Sequence, residues 1–383
     1  MTSRVSQALV ESLAAHREDG PVLSLYMPTA LEVDERRQNE IRLKNLLRQA
    51  RSRLETLGMA GTGAQALTER VDKAPLEREM WQAHGRGFAV FAGRDLLAHA
   101  ALPFRVRELV VASPRFQLRP LIEALARQRR FWLLAMSQKD VRLYRGDEKA
   151  LTEVDTGSHL PRSLVEVAGR EPTGKELYFH SANRGGEAAI FHGTGAGKDD
   201  VEPEQEQFVR AVASGLEHFL KQDDSPVILA ADNQLRALYA RVSRHADRVL
   251  DEIDGNVEHV PEESLHAEAW RRMEAELERR RDTELYRLGN SGPELPVSAD
   301  LADIVRAATE GRIDTLFTAA DRHCWGRWDA SERTVEIHDQ PLPGDDDLLD
   351  FAAVESWLKG GAVHAVPGER IPGNGMVIAG LRY

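Results

Sequence analysis

Short apolar runs, each long enough for one buried strand, punctuate this sequence. They are Val22–Tyr26 in "PVLSLYMPT", "GFAVFAG" at 87–93, "ELVVAS" at 108–113, Phe131–Met136, Val141–Tyr144, "VILAA" at 227–231, "DTLFTA" at 314–319, "GAVHAV" at 361–366 and "MVIAGLRY" at 376–383. Runs of this length, bounded by Gly, Pro and polar residues, predict strands. Helical spacing lies between them. Leu43, Leu46, Leu47, Ala50, Leu54 and Leu57 recur on one helical face, and Gly58 follows as a stop. Phe208, Val209, Val212, Leu216, Phe219 and Leu220 mark another, with Pro203 in its first turn. The stretch from Glu262 to Gly289 predicts a long, charged surface helix. Strands alternating with helices predict an α/β fold.

A chain of 383 residues suits two or three domains. Composition and turn signals divide it into a basic α/β segment at 1–128, a middle domain at 129–224 and a C-terminal α/β domain at 225–383. In the middle segment, Ser137–Asp140 reads as the turn of a hairpin, Leu151–Asp155 as a third strand, and 156–186 as a polar insertion. The polar stretch Lys221–Pro226 reads as a linker. No internal repeat is evident.

The net charge of −12 argues against a surface that wraps nucleic acid all round. The charge is uneven, however. Residues 1–130 hold 21 Lys and Arg against 15 Asp and Glu, which leaves the acidic excess to the rest of the chain. Arg37, Lys44, Arg48 and Arg51 fall on one face of the first long helix, either as a solvated stripe or as contacts to a phosphate backbone. With no apolar run of about 18 residues, no membrane span is expected. The N-terminal residues lack the apolar core of a secretory signal, so a cytoplasmic location is expected. A single cysteine, Cys324, excludes a disulfide within the chain.

The stretch "FHGTGAGKDD", Phe191–Asp200, carries three glycines on alternate positions. A P-loop would need glycine where His192 stands and a hydroxyl where Asp199 stands. A dinucleotide fingerprint fails because Gly197 comes one position early. His180, His192, Asp199 and Asp200 lack the spacing of a zinc protease, so no metal is assigned, and no cofactor is expected. Asp345–Asp347, ahead of an apolar run, read as helix N-terminal charges. Cys324 and His323 are adjacent and would point to opposite faces of a strand, so Cys324 reads as a buried structural thiol. What remains is a glycine-rich loop ahead of a helix, able to present backbone amides and side chains to a partner.

Several stretches, in order, resemble the bacterial branch of the archaeo-eukaryotic peptide-chain release factor and Pelota superfamily. They are "VLSLYMPT", "QNEIRLKNLLRQA", "FWLLAMSQKDVRLYRGD", "FHGTGAGKDD", "GRIDTLF" with "WGRWD", "GDDDLLDFAAVESWLKGGAVHAV" and the terminal "LRY". The resemblance implies three domains: an N-terminal α/β domain, an RNase-H-like middle domain, and a C-terminal α/β/α sandwich like the ribosomal proteins that bind kink-turns. It implies the ribosome, tRNA or rRNA as partners. In release-factor members a Gly-Gly-Gln loop of the middle domain helps water attack the peptidyl-tRNA ester. This sequence has no Gly-Gly-Gln; it offers Gly185-Gly186-Glu187, then Gly193, Gly195 and Gly197. Glu187, His192 and Thr194 are the candidate catalytic side chains, those five glycines the candidate amide array, and Lys198 a further RNA contact beside Arg37, Lys44, Arg48 and Arg51. The expected function is peptide release or rescue of stalled ribosomes. The alternative is a non-catalytic RNA-binding or protein-interaction module, with a protein partner on the acidic C-terminal domain.

Overall fold

The computed structural model describes residues 5–30, 36–74, 86–169, 201–221, 223–292 and 296–383. By packing, the chain gathers into two units: Met1–Arg127 with Arg281–Tyr383, and Gln128–Arg280.

The first segment holds helix α1 (Gln7–Ala15), strand β1 (Val22–Pro28), helices α2 (Arg36–Thr56) and α3 (Gly61–Lys73), strands β2 (Gly87–Ala92), β3 (Leu97–Leu102) and β4 (Leu109–Ser113), and helix α4 (Arg119–Arg127). The strands pair antiparallel in the order β3-β2-β1-β4. β1 is central and covered on both faces because successive side chains alternate. Leu23, Leu25 and Met27 pack with Leu43, Leu46, Leu47, Ala50 and Leu54 of α2. Val22 and Tyr26 face the opposite way, with Leu13 of α1 and Leu121 and Ile122 of α4. Each buried leucine contributes about 1.5–3 kcal/mol. An exposed pair such as Arg51–Glu55 contributes only about 0.3–0.5 kcal/mol, so the leucine row holds α2 in place. Past the end of α2, Gly58 adopts φ +90°, which a side chain would resist.

The second unit contains strands β5 (Phe131–Met136), β6 (Val141–Gly146) and β7 (Leu151–Glu153), helices α5 (Leu164–Ala168) and α6 (Val201–Leu220), strand β8 (Val227–Ala231), helix α7 (Asn233–Val242) and strand β9 (Val249–Asp254). Helix α8 (Glu262–Gly289) contributes its residues up to Arg280. The sheet order is β7-β6-β5-β8-β9, with β8 parallel to both β5 and β9. The Ser137–Asp140 hairpin is closed by the Ser137 N–H on the Asp140 carbonyl at 2.8 Å. Trp132, Leu134 and Met136 pack with Phe208, Val212 and Leu216 of α6, while Phe131, Leu133 and Ala135 pack with Leu265, Ala269 and Met273 of α8. The unit is therefore an α/β/α sandwich, carried on past residue 225 by the pairing of β8 on β5.

The last segment adds strand β10 (Val297–Ser298), helix α9 (Leu301–Thr309), strands β11 (Ile313–Ala319), β12 (Trp325–Asp329), β13 (Thr334–His338) and β14 (Asp346–Asp347), helix α10 (Leu348–Leu358), and strands β15 (Ala362–Val366) and β16 (Val377–Leu381). The main sheet runs β10-β16-β11-β15, and a small one runs β13-β12-β14. Ile304 and Val305 of α9 and Leu349 and Ala352 of α10 share one core with Leu316, and that core is continuous with the buried face of β1. Phe317, Val366 and Ile378 turn the other way, onto Leu285 and Leu288 of α8. The fold is mixed α/β, as the alternation of runs predicts.

Gly215 in α6 decides a close approach. A Cβ there would stand 1.9 Å from the His159 carbonyl oxygen. Helix propensity alone would favour Gly215→Ala by about 1 kcal/mol. Overpacking against a backbone atom costs about 1–3 kcal/mol or more, so the variant is expected to be destabilised in urea unfolding. A gain in stability would show that the 159 turn is not seated on α6.

Candidate functional site

The buried row of α2 dictates what its other face presents. Lys44, Arg48 and Arg51, at steps of four and three residues, stand exposed opposite Leu43, Leu47, Ala50 and Leu54. Arg51 is held by Glu55 at 3.1 Å. Lys44 and Arg48 make no ion pair with the described residues. Arg37 lies within α2, but its side chain is outside the described residues. Gly185, Gly186, Glu187, His192, Gly193, Thr194, Gly195, Gly197 and Lys198 all lie outside them. The structure thus brings together three of the sequence candidates, Lys44, Arg48 and Arg51, as a cationic face. Among the described residues no group of His, Cys, Asp or Glu could hold a metal ion, and no helix is long and apolar enough to cross a membrane.

A second constellation escaped sequence reasoning. Arg119, 4% exposed at the start of α4, donates to the carbonyls of Ala319 at 2.6 Å and Arg322 at 3.0 Å, and to Asp347 Oδ2 at 2.9 Å. The same oxygen receives Gln117 Nε2 at 3.2 Å and faces His323 Nδ1 at 2.8 Å. Asp347 Oδ1 accepts from the N–H groups of Cys324 and Leu349, which makes Asp347 the N-cap of α10. Asp350 Oδ1 accepts from the N–H groups of Leu118 at 2.8 Å and Arg119 at 2.6 Å, closing the start of α4 from another segment. Asp345, fully buried, pairs with Arg327 at 3.0 Å and His338 at 2.8 Å. The aspartate triplet does supply helix N-terminal charge. Its partners Gln117 and Arg119 lie 230 and 228 residues away, and no local pattern announces them.

Charge follows from that geometry. Burial opposes ionisation of Asp347, yet Arg119 and His323 together hold its carboxyl below the ordinary value. Asp350 is pushed up to about 7, chiefly by burial; Arg119 opposes the shift and the Asp347 charge adds to it. Cys324 is 7% exposed, and burial pushes its thiol up, which suits a structural residue rather than a nucleophile.

The middle of the chain, which includes the second unit, is similar to a known family. Residues 130–312 match the model of bacterial archaeo-eukaryotic release factor family 3. Of the stretches that carry the resemblance, those at 131–147 and 191–200 lie within the matched residues. The release-factor family match spans β5 through α9 and includes the glycine-rich stretch. No curated protein matches the sequence. Among solved structures, ribosome-bound archaeal Pelota and ABCE1 shows 14% identity over 78% of this chain and 77% of that one, with a TM-score of 0.38. Dom34 of S. cerevisiae, a translation termination-like factor, shows 12% identity over 77% and 80%, with a TM-score of 0.35. The archaeal termination factor aRF1 shows 14% over 98% and 96%, with a TM-score of 0.23. At such scores the superpositions are loose, and the release-factor family match is the finding that bears on function.

The buried network makes two measurable demands. Arg119→Ala leaves Asp347 and Asp350 buried without their cation and is expected to cost about 3–5 kcal/mol in chemical denaturation. A loss below about 1 kcal/mol would mean the network is dispensable. Asp350 binds its proton more tightly folded than unfolded, so its contribution to stability is full below about pH 4 and is lost as pH rises through about 7. Asp350→Asn cannot titrate, and its cost is therefore expected to be greater near pH 5 than near pH 8. A cost that rises with pH instead would show the folded carboxylate to be charged throughout.

Proposed function

We propose that this chain is a ribosome-associated factor of peptide release or ribosome rescue. The observation that carries the reading is the release-factor family match over residues 130–312. The exposed cations of α2 support it, because Lys44, Arg48 and Arg51 can meet RNA phosphates without reading bases. On this reading the stretch from Gly185 to Lys198 meets the peptidyl-tRNA ester. Its glycine amides would stabilise the developing oxyanion, and His192, Thr194 or Glu187 would orient the attacking water. The proton of that water passes to bulk solvent or to the departing ribose oxygen, so neither metal nor cofactor is needed. A second reading, binding without hydrolysis, is favoured by the absence of Gly-Gly-Gln.

Co-sedimentation with 70S ribosomes carrying peptidyl-tRNA, with released peptide counted in the same tubes, separates the readings. Salt-sensitive binding with release that falls in His192→Ala or Thr194→Ala supports hydrolysis. Binding without release supports the second reading. The double change Arg48→Glu and Arg51→Glu is expected to abolish binding; ribosome binding at wild-type strength would remove α2 from the interface.

A further inference from the structure

The loop that joins β3 to β4 presents a second set of cations, and their assignment rests on the ribosome-associated reading above. Arg105 and Arg107 stand exposed on that loop, and Arg86 stands exposed just before β2. Between them Phe104 and Val106 turn inward and pack on the core, so alternation sends the arginines outward.

The three positions are seated rather than loose. The Arg86 N–H donates to the Leu102 carbonyl at 3.0 Å, and the Arg86 carbonyl accepts from Thr29 at 3.1 Å. A Cβ on Gly87 would lie 2.7 Å from the Phe104 oxygen and 3.0 Å from Val106 Cγ2, so β2 and the loop are in direct contact. The Arg127 guanidinium covers the Phe104 ring at 4.6 Å and is itself held by Glu123 at 2.9 Å.

Most arginines of this unit are neutralised. Arg42 meets Glu108, Arg115 meets Asp346 and Glu355, and Arg306 meets Asp303. Arg86, Arg105 and Arg107 make no side-chain hydrogen bond or ion pair with the described residues. Asp321, held below its ordinary value chiefly by the Gly368 N–H, also feels Arg107, but at a distance. Three exposed guanidiniums on adjoining segments, with no ion pair among the described residues, favour the approach of an anion in a chain of net charge −12. A guanidinium fork matches the paired oxygens of a phosphate.

We propose that Arg86, Arg105 and Arg107 form a phosphate-gripping rim that contacts an RNA backbone, distinct from the α2 stripe. The rim positions RNA and reads no sequence.

The test is the salt dependence of binding by the full chain, with 70S ribosomes and then protein-free rRNA as probes. Arg105→Ala/Arg107→Ala and Arg86→Ala are compared with the wild type and with Lys44→Ala/Arg48→Ala. The slope of log K against log salt is expected to become shallower by about 0.7–0.9 for each rim arginine removed, on both probes. The melting temperature is expected to be unchanged, because these side chains have no ion-pair or hydrogen-bond partner among the described residues. Unaltered slope and affinity in the rim variants, with salt-sensitive wild-type binding, would overturn the rim and leave the ribosome reading standing. Loss of ribosome binding with undiminished rRNA binding would also overturn it, in favour of an acidic protein surface. Salt-insensitive or absent wild-type binding would overturn the ribosome reading and the rim together.

Discussion

The Arg119 guanidinium, sealed between carboxylates and carbonyls, is the interaction on which the first unit depends. Two ends of the chain meet there. Arg119 comes from the segment before residue 128, and Asp347, Asp350, Ala319 and Arg322 come from the segment after 280. Removing a charge from water is costly, and only a full set of partners offsets it. Asp347 has such a set in Arg119, Gln117, His323 and two backbone N–H groups. The consequence is directional. Apolar packing would tolerate many arrangements of β1 against α10, whereas these hydrogen bonds admit one. Tyr26, buried in β1, adds to the same registration by donating to the Gln117 carbonyl at 2.6 Å.

Around that centre, strands buried on both faces organise each unit. β1, β5 and β11 each divide their side chains between two cores, because alternation sends neighbours to opposite sides. Helices cover each face, and their outward sides are then free for charge. α8 neutralises its own: Glu276, held at about 2 first by Arg279 and also by Arg280, illustrates the ladder of local pairs along it. α2 pairs Arg51 with Glu55, but Lys44 and Arg48 make no ion pair with the described residues. The difference between the two charged helices begins in composition: α2 carries seven basic residues against two acidic ones, and α8 six against eight, so only α8 has acids enough to pair its arginines.

How much could be read in the sequence follows the range of the forces involved. The strand runs Val22–Tyr26, Phe131–Met136, Val227–Ala231 and Asp314–Ala319 were legible, since nearly every residue of each is buried. The hairpin at Ser137–Asp140 was legible from its turn, and the α2 face from its 3.6-residue period. β12 and β13 were not, because residues such as Arg327, Glu336 and Ile337 stay exposed and show no buried run. The polar stretch 221–226 reads as a linker, yet β8 beyond it pairs with β5, and no local signal distinguishes a linker from a crossover.

The sequence by itself determined the α/β class, the cationic face of α2, the loss of Gly-Gly-Gln, and the family resemblance. All of these are local patterns of hydrophobicity, charge or identity. Only the tertiary structure decided that α4 and α10 share a buried ionic centre, that Asp345 and Asp347 each engage a histidine, and that Arg86 joins Arg105 and Arg107. Those arrangements are set by which surfaces must be buried together; Arg119 and Asp347 lie 228 residues apart, and even His338, seven residues from Asp345, meets it only because the chain turns back between β13 and β14.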